Sequence, residues 1–172
     1  MIIKKIKQNI LVNKYNKLLA EAVKNKQISA KIINSVAILT TEDISDTFDL
    51  QKQIERQLNL RNPKIYSFRD NEKYKKPSFK HFSEKAFNWK GNIIDKSLES
   101  FLEQPFDLLI NYYNQKNQYL EYVTLQSKAA FKVGFSGINK QLFDMEIIEK
   151  IENPEVFMSE LARYLRVLKK LT

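Results

Sequence analysis

The sequence predicts an α/β fold: a single three-layer Rossmann-like domain with a mostly parallel sheet, preceded by a basic N-terminal helix. Three observations carry this. Pro105 to Gly134 reads as an apolar strand, a helix and a second strand finishing at a glycine, the β-α-β unit of a parallel sheet. Ser35 to Thr41, SVAILTT, is a second short β-branched strand, and it too leads into a helical pattern. At 172 residues, 43% hydrophobic and 12% aromatic, the chain has the material for one real core and no room for a second full-sized domain. The expected boundaries are 1–34 for a basic helical extension and 35–172 for the α/β domain.

The extension comes first. Ile3, Ile6, Ile10, Leu11, Tyr15, Leu18 and Ala22 recur at spacings of three and four, so residues 2–27 are expected to be an amphipathic helix with a lysine-rich outer face. Residues 1–34 carry eight lysines against the single acid Glu21, while the whole chain has a net charge of +9; the basic character therefore belongs to the N-terminus. Its longest apolar run, Ile10-Leu11-Val12, is too short for a signal-peptide core or a membrane span. The lysines suit nucleic-acid phosphates or anionic lipid, and the plainer explanation is a docked helix with a solvated face.

Beyond the strand SVAILTT the chain turns polar: TEDISD is expected to be a loop, with Asp46 or Thr47 capping a helix that buries Leu50, Ile54 and Leu58 and stops before Asn62-Pro63. Lys64 to Phe68 is the next strand. In an open parallel sheet, ligands sit beyond the carboxyl ends of the strands, which places a candidate ligand corner at Thr40, Thr41, Glu42 and Asp43, joined by Asn111, Tyr113 and Ser136 from neighbouring strand ends. Glu42, Asp43, Asp46 and Asp49 are types that hold magnesium or act as a base, and equally types favoured near a helix N-terminus. No glycine precedes Gly91, so neither a P-loop nor the dinucleotide fingerprint follows this strand.

Asn71 to Gly91, NEKYKKPSFKHFSEKAFNWKG, interleaves lysines with aromatic rings, the composition of a single-strand nucleic-acid surface and also of a loop pinned by its own rings. Phe87 to Lys90 is expected to be a short strand with Trp89 as a core or rim plug. Asp95 should cap a helix burying Leu98, Phe101 and Leu102, ended by Pro105. Phe106 to Tyr113 lacks alternation and is expected near the middle of the sheet. A helix over residues 118–128, a strand at Phe131 to Phe135, a turn at Gly137 to Asn139 and an edge strand at Phe143 to Ile148 follow. Asn153-Pro154-Glu155 opens a last helix, with Phe157, Leu161, Tyr164, Leu165, Leu168 and Leu171 as its buried face.

The order of these features, with SVAILTT, FNWKG, FDLLINYY and LQSKAAFKVG, resembles an uncharacterised family of small α/β proteins from Bacteroidota over about residues 5–170. The resemblance implies a soluble bacterial protein and brings no activity or catalytic residues. FDLLIN and SKAAFKVG are also similar to the N-terminal half of heptosyltransferase-type glycosyltransferases, over about thirty residues. Such enzymes use a second Rossmann-like domain for the sugar nucleotide, and this chain has no room for one.

With no cysteine, thiol nucleophiles, disulfides and thiolate metal sites are excluded, which fits a reducing cytoplasm. One histidine, His81, disfavours histidine-rich metal sites. The first functional expectation is a non-enzymatic, cofactor-free binding protein for an anionic macromolecule, RNA or a ribonucleoprotein, using Lys4, Lys5, Lys7, Lys14 and Lys17 together with Tyr74, Lys75, Lys76, Phe79, Lys80 and His81. An alternative is a small nucleotide- or sugar-binding domain, or a glycosyltransferase-like enzyme domain, using the Thr41 corner. A third is a protein-complex subunit or a peripheral protein on an anionic membrane surface, docked by the first helix.

Overall fold

The computed structural model describes residues 2–70 and 80–172, without the side chains of Ile3 and Lys4. Helix α1 (Ile2–Lys24) leads into β1 (Val36–Thr41), α2 (Glu42–Thr47), α3 (Leu50–Leu58), β2 (Lys64–Phe68) and β3 (His81–Phe82). After a single 3-10 turn at Glu84–Ala86 come α4 (Lys96–Glu103), β4 (Leu108–Tyr112), α5 (Gln118–Gln126), β5 (Phe131–Phe135), β6 (Met145–Ile147) and α6 (Pro154–Val167). The six strands pair in the order β3-β2-β1-β4-β5-β6, and every pairing is parallel. This is the strand order of the doubly wound Rossmann sheet, in which the winding reverses between the first strand and the fourth.

Apolar strands explain the centre of the sheet. Ala37, Ile38 and Leu39 of β1 and Leu108, Leu109 and Ile110 of β4 are fully buried, as strands covered on both faces must be. On one face Tyr66 and Phe68 of β2 stack on Phe101 of α4 and Tyr119 of α5, with centroids 4.9 and 5.4 Å apart. On the other, Phe157 of α6 meets Tyr112 of β4 at 5.1 Å and Phe135 of β5 at 4.5 Å, and α3 packs beside α6. At Gly134 of β5 the ring of Phe143 takes the place of a side chain: a Cβ there would sit 2.3 Å from it.

Helix α1 lies against α5. It buries Leu11, Tyr15 and Leu19, whereas Ile6 and Ala22 of the expected face are exposed and Ile10 and Leu18 are half-buried. The difference is one of reach: only the middle of the helix crosses the domain, so the face is set by what meets α5 and the Gly91 turn.

Four local expectations are corrected. TEDISD is not a loop, since α2 starts directly after β1 with Glu42 and Asp43 in its first turn, and the cap of the next helix is Asp49, whose carboxylate accepts from the Lys52 amide. Phe87 to Lys90 is not a strand: Asn88 accepts from the amides of Lys90 and Asn92 in a tight turn, Gly91 supplies φ +71°, and His81–Phe82 takes the sheet edge instead. Trp89, at the tip of that turn, is 64% exposed and plugs nothing. In α6, Tyr164 and Leu168 are exposed while Phe157, Leu161 and Leu165 are buried. The chain turns at Lys169 (φ 56°) and sends Lys170 inward to the Ser29 carbonyl.

Candidate functional site

A Rossmann sheet leaves its crevice where the winding reverses, beyond the carboxyl ends of β1 and β4. A pocket of about 360 Å³ lies there. Thr41, Asp43 and Ile44 line one wall, Tyr113, Asn114, Gln115, Lys116 and Asn117 the other, and Ile151 closes the end. Thr41 is both the last residue of β1 and the residue before α2, and its side chain makes no capping hydrogen bond. On the far wall the Asn117 carboxamide caps α5 by accepting from the amides of Tyr119 and Leu120. Asn117 also borders a second hollow of about 270 Å³, lined by Gln8, Phe68, Asp70, Glu84, Gln118 and Tyr119, so the two form neighbouring parts of one rim.

The charges on this rim are mixed. Asp43 and Lys116 both border the first pocket, and Asp70 and Glu84 border the second. Of the two carboxylates in the opening turn of α2, Asp43 borders the pocket, at the backbone position that holds phosphate in dinucleotide-binding folds. The rim suits hydroxyl and amide groups better than a phosphate.

The expected ligand residues separate into three groups. Thr41, Asp43 and Tyr113 come together in the pocket, with Tyr113 fully buried beneath it and its hydroxyl 3.4 Å from that of Thr124. Burial raises the Tyr113 phenol well above its ordinary pKa, so it remains a neutral hydrogen-bonding group. Thr40 and Asn111 lie below the floor, where they tie strands together: Thr40 donates to the Tyr112 carbonyl at 2.7 Å, and Asn111 donates to the Val133 carbonyl at 3.0 Å and accepts from Thr124. Ser136 is exposed past the end of β5, with its amide donating to Ile147, and does not border the pocket.

Glu42 turns the other way. Its buried Oε1 accepts from Arg69 Nε at 2.8 Å and lies 2.6 Å from Arg69 Nη2 and 3.4 Å from His81 Nε2. One carboxylate therefore clasps the chain at Arg69, where it leaves β2, and at His81, where it enters β3. Burial, reinforced by the Arg69 charge, lowers the His81 pKa against the pull of Glu42 and Asp46. Of the expected nucleic-acid residues, Tyr74, Lys75, Lys76 and Phe79 lie between those two ends and outside the described residues, as does the side chain of Lys4. Lys80 is exposed.

The remaining lysines of α1 divide. Lys7 donates to the Glu84 carbonyl at 2.7 Å, and Lys14 to Asn92 Oδ1 at 2.5 Å and to the Gly91 carbonyl at 3.4 Å, so both reach toward the domain. Lys5 and Lys17 are exposed.

Sequence reasoning missed Lys116, Gln115, Asn117 and Ile151 as pocket residues and Arg69 as the partner of Glu42. A signal for the first group was present in the polar run Asn114-Gln115-Lys116-Asn117 between a fully buried strand and its helix. For Arg69 there was none, because its partner is 27 residues away.

No curated protein and no solved structure matches the chain. The likeness of FDLLIN and SKAAFKVG to glycosyltransferases thus has no counterpart there, and those residues form the packed unit β4-α5-β5. No helix among the described residues is long and apolar enough to cross a membrane. Across residues 7–168 the sequence matches DUF6913, a family of unknown function, and the chain belongs to that family.

Proposed function

We propose that this is a binding protein whose ligand enters the crevice between β1 and β4, and that the ligand is a small, hydroxyl-rich, uncharged molecule of sugar or nucleoside type. The observation that carries the reading is the pocket at the reversal of winding, which collects Thr41, Asp43, Lys116 and Asn117 from separate segments of the chain. Its volume is in the range of small-molecule sites. Asp43, the carboxylate of α2 that borders the pocket, weighs against phosphorylated ligands. A cysteine-free chain fits a cytoplasmic setting, and the sequence resemblance fits a bacterial one.

Thermal unfolding with a panel of sugars, nucleosides and their phosphates tests this. A sugar or nucleoside near 100 times its Kd is expected to add about 2.7 kcal/mol of stability, the phosphorylated form no more, and Asp43→Ala is expected to remove the gain. A flat panel, or a gain that survives in the variant, rejects the reading.

A second reading, recognition of RNA or another anionic macromolecule, is favoured by the exposed Lys5 and Lys17 on a helix whose one acid is Glu21. It predicts RNA affinity that falls steeply with salt and is weakened about tenfold or more by Lys5→Glu with Lys17→Glu. Salt-insensitive retention would count against it.

A further inference from the structure

A pocket of about 700 Å³ lies away from the crevice, between β2 and α4 at the β3 side of the sheet. Three lysines border it: Lys64 at the start of β2, Lys80 before β3 and Lys96 at the start of α4. No Asp or Glu is among its described lining residues. Of the three, Lys96 is paired with Glu99 at 2.8 Å, and the Asp95 carboxylate that caps α4 accepts from the Leu98 amide. Pro63, Ile65 and Phe101 form an apolar wall, with the Phe101 ring held in place by Tyr66. Ser97 and Ser100 add hydroxyl groups from α4.

Lysine is a point charge suited to phosphate oxygens, and a flat apolar wall beside it suits a base. We propose that this pocket is a second site, which takes a nucleotide through its phosphate, either free or as one residue of a single-stranded RNA. A lining that gathers lysines, and whose described residues include no acid, distinguishes it from the crevice, where acid and base alternate. The two sites select opposite ligands: an uncharged molecule at the switch point, a phosphorylated one at the β2 side. The proposal is independent of the crevice reading, and a residue-resolved measurement tells their failures apart.

Amide spectra of the full chain titrated with AMP, adenosine and a short oligoadenylate provide that measurement. AMP is expected to shift Ile65, Ser97 and Ser100, more weakly as salt rises, and adenosine to leave them in place. The double variant Lys64→Glu/Lys96→Glu, both exposed positions, is expected to lose affinity for AMP about tenfold or more with its spectrum otherwise native. Tighter binding of the oligomer than of AMP identifies RNA as the source, and equal binding identifies the free nucleotide; either supports the site. No shift at millimolar AMP, shifts confined to Thr41 and Lys116, or unchanged affinity in the double variant overturns it.

Discussion

Lys132, the second residue of β5, holds its ammonium largely out of water. Burial lowers its pKa to about 8, opposed by Asp144 and reinforced by Lys26. Its Nζ is 3.5 Å from the Leu125 carbonyl, while its amide donates to Asp144 at 2.8 Å. The unfolded chain, with a lysine near 10.5, binds the proton more tightly than the folded one, so stability must rise as pH climbs from about 8 toward 10. Each unit of difference is worth about 1.4 kcal/mol. Denaturant midpoints measured across that window are expected to climb in the native chain and to lie flat in Lys132→Met, which should also be the more stable protein at pH 7. A native profile as flat as the variant's would show that water reaches the ammonium. Above pH 10 the buried tyrosines Tyr112 and Tyr113, whose ionisation burial opposes, pull the other way.

At the scale of elements, α1 is held by a narrow seam. Leu11 packs over Gly91, Tyr15 donates to Glu121 of α5 at 3.1 Å, and Asn139 donates to the Tyr15 hydroxyl at 2.9 Å. Burial raises the Glu121 pKa, although the bond from Tyr15 and the charge of Lys116 draw it back. A raised carboxyl favours the protonated native state, so the seam should weaken as pH rises past 4.5 and through the folded value. Leu11→Ala removes the one side chain of the seam that is 1% exposed, at an expected cost of about 2–4 kcal/mol. Because α1 is a terminal element, that loss should be read first as faster amide exchange in α1 than in the sheet. Uniform acceleration of α1 and β4 would mean instead that the helix unfolds only with the whole domain. The seam was only half legible in the sequence. Spacings of three and four identify the helix but not which of several apolar faces meets a partner, and that choice was made by Gly91 and Glu121, both far along the chain.

For the whole molecule, the positions of the central strands were legible though not their order in the sheet: β1, β4 and β5 fall where Ser35–Thr41, Phe106–Tyr113 and Phe131–Phe135 announced them. The site was legible to the same extent, because the rule that ligands sit at carboxyl ends needs only strand positions; Thr41, Asp43 and Tyr113 followed from it. Thr40 did not line the pocket because successive side chains of a strand point to opposite faces, away from Thr41, and Asn111 did not because it lies one pleat deeper on the face of Tyr113, where both reach Thr124. The Glu42 clasp was illegible, since an ion pair between residues 27 positions apart, with a third side chain beside it, has no periodic signature. Breaking it tests how much it holds: Glu42→Gln removes the carboxylate charge that faces the Arg69 guanidinium, itself 16% exposed, and is expected to lower stability by roughly 3–5 kcal/mol in denaturant unfolding. A loss under about 1 kcal/mol would place the pair in effectively solvent-like surroundings. One consequence of that clasp concerns what lies between its jaws. When both feet of a segment are fastened by the same carboxylate, the scaffold is indifferent to the segment's length, and doubling it adds only about 0.6 kcal/mol of closure entropy. The join of β2 to β3 is therefore fixed at its two ends, at Arg69 and at His81, and not by how much chain runs between them.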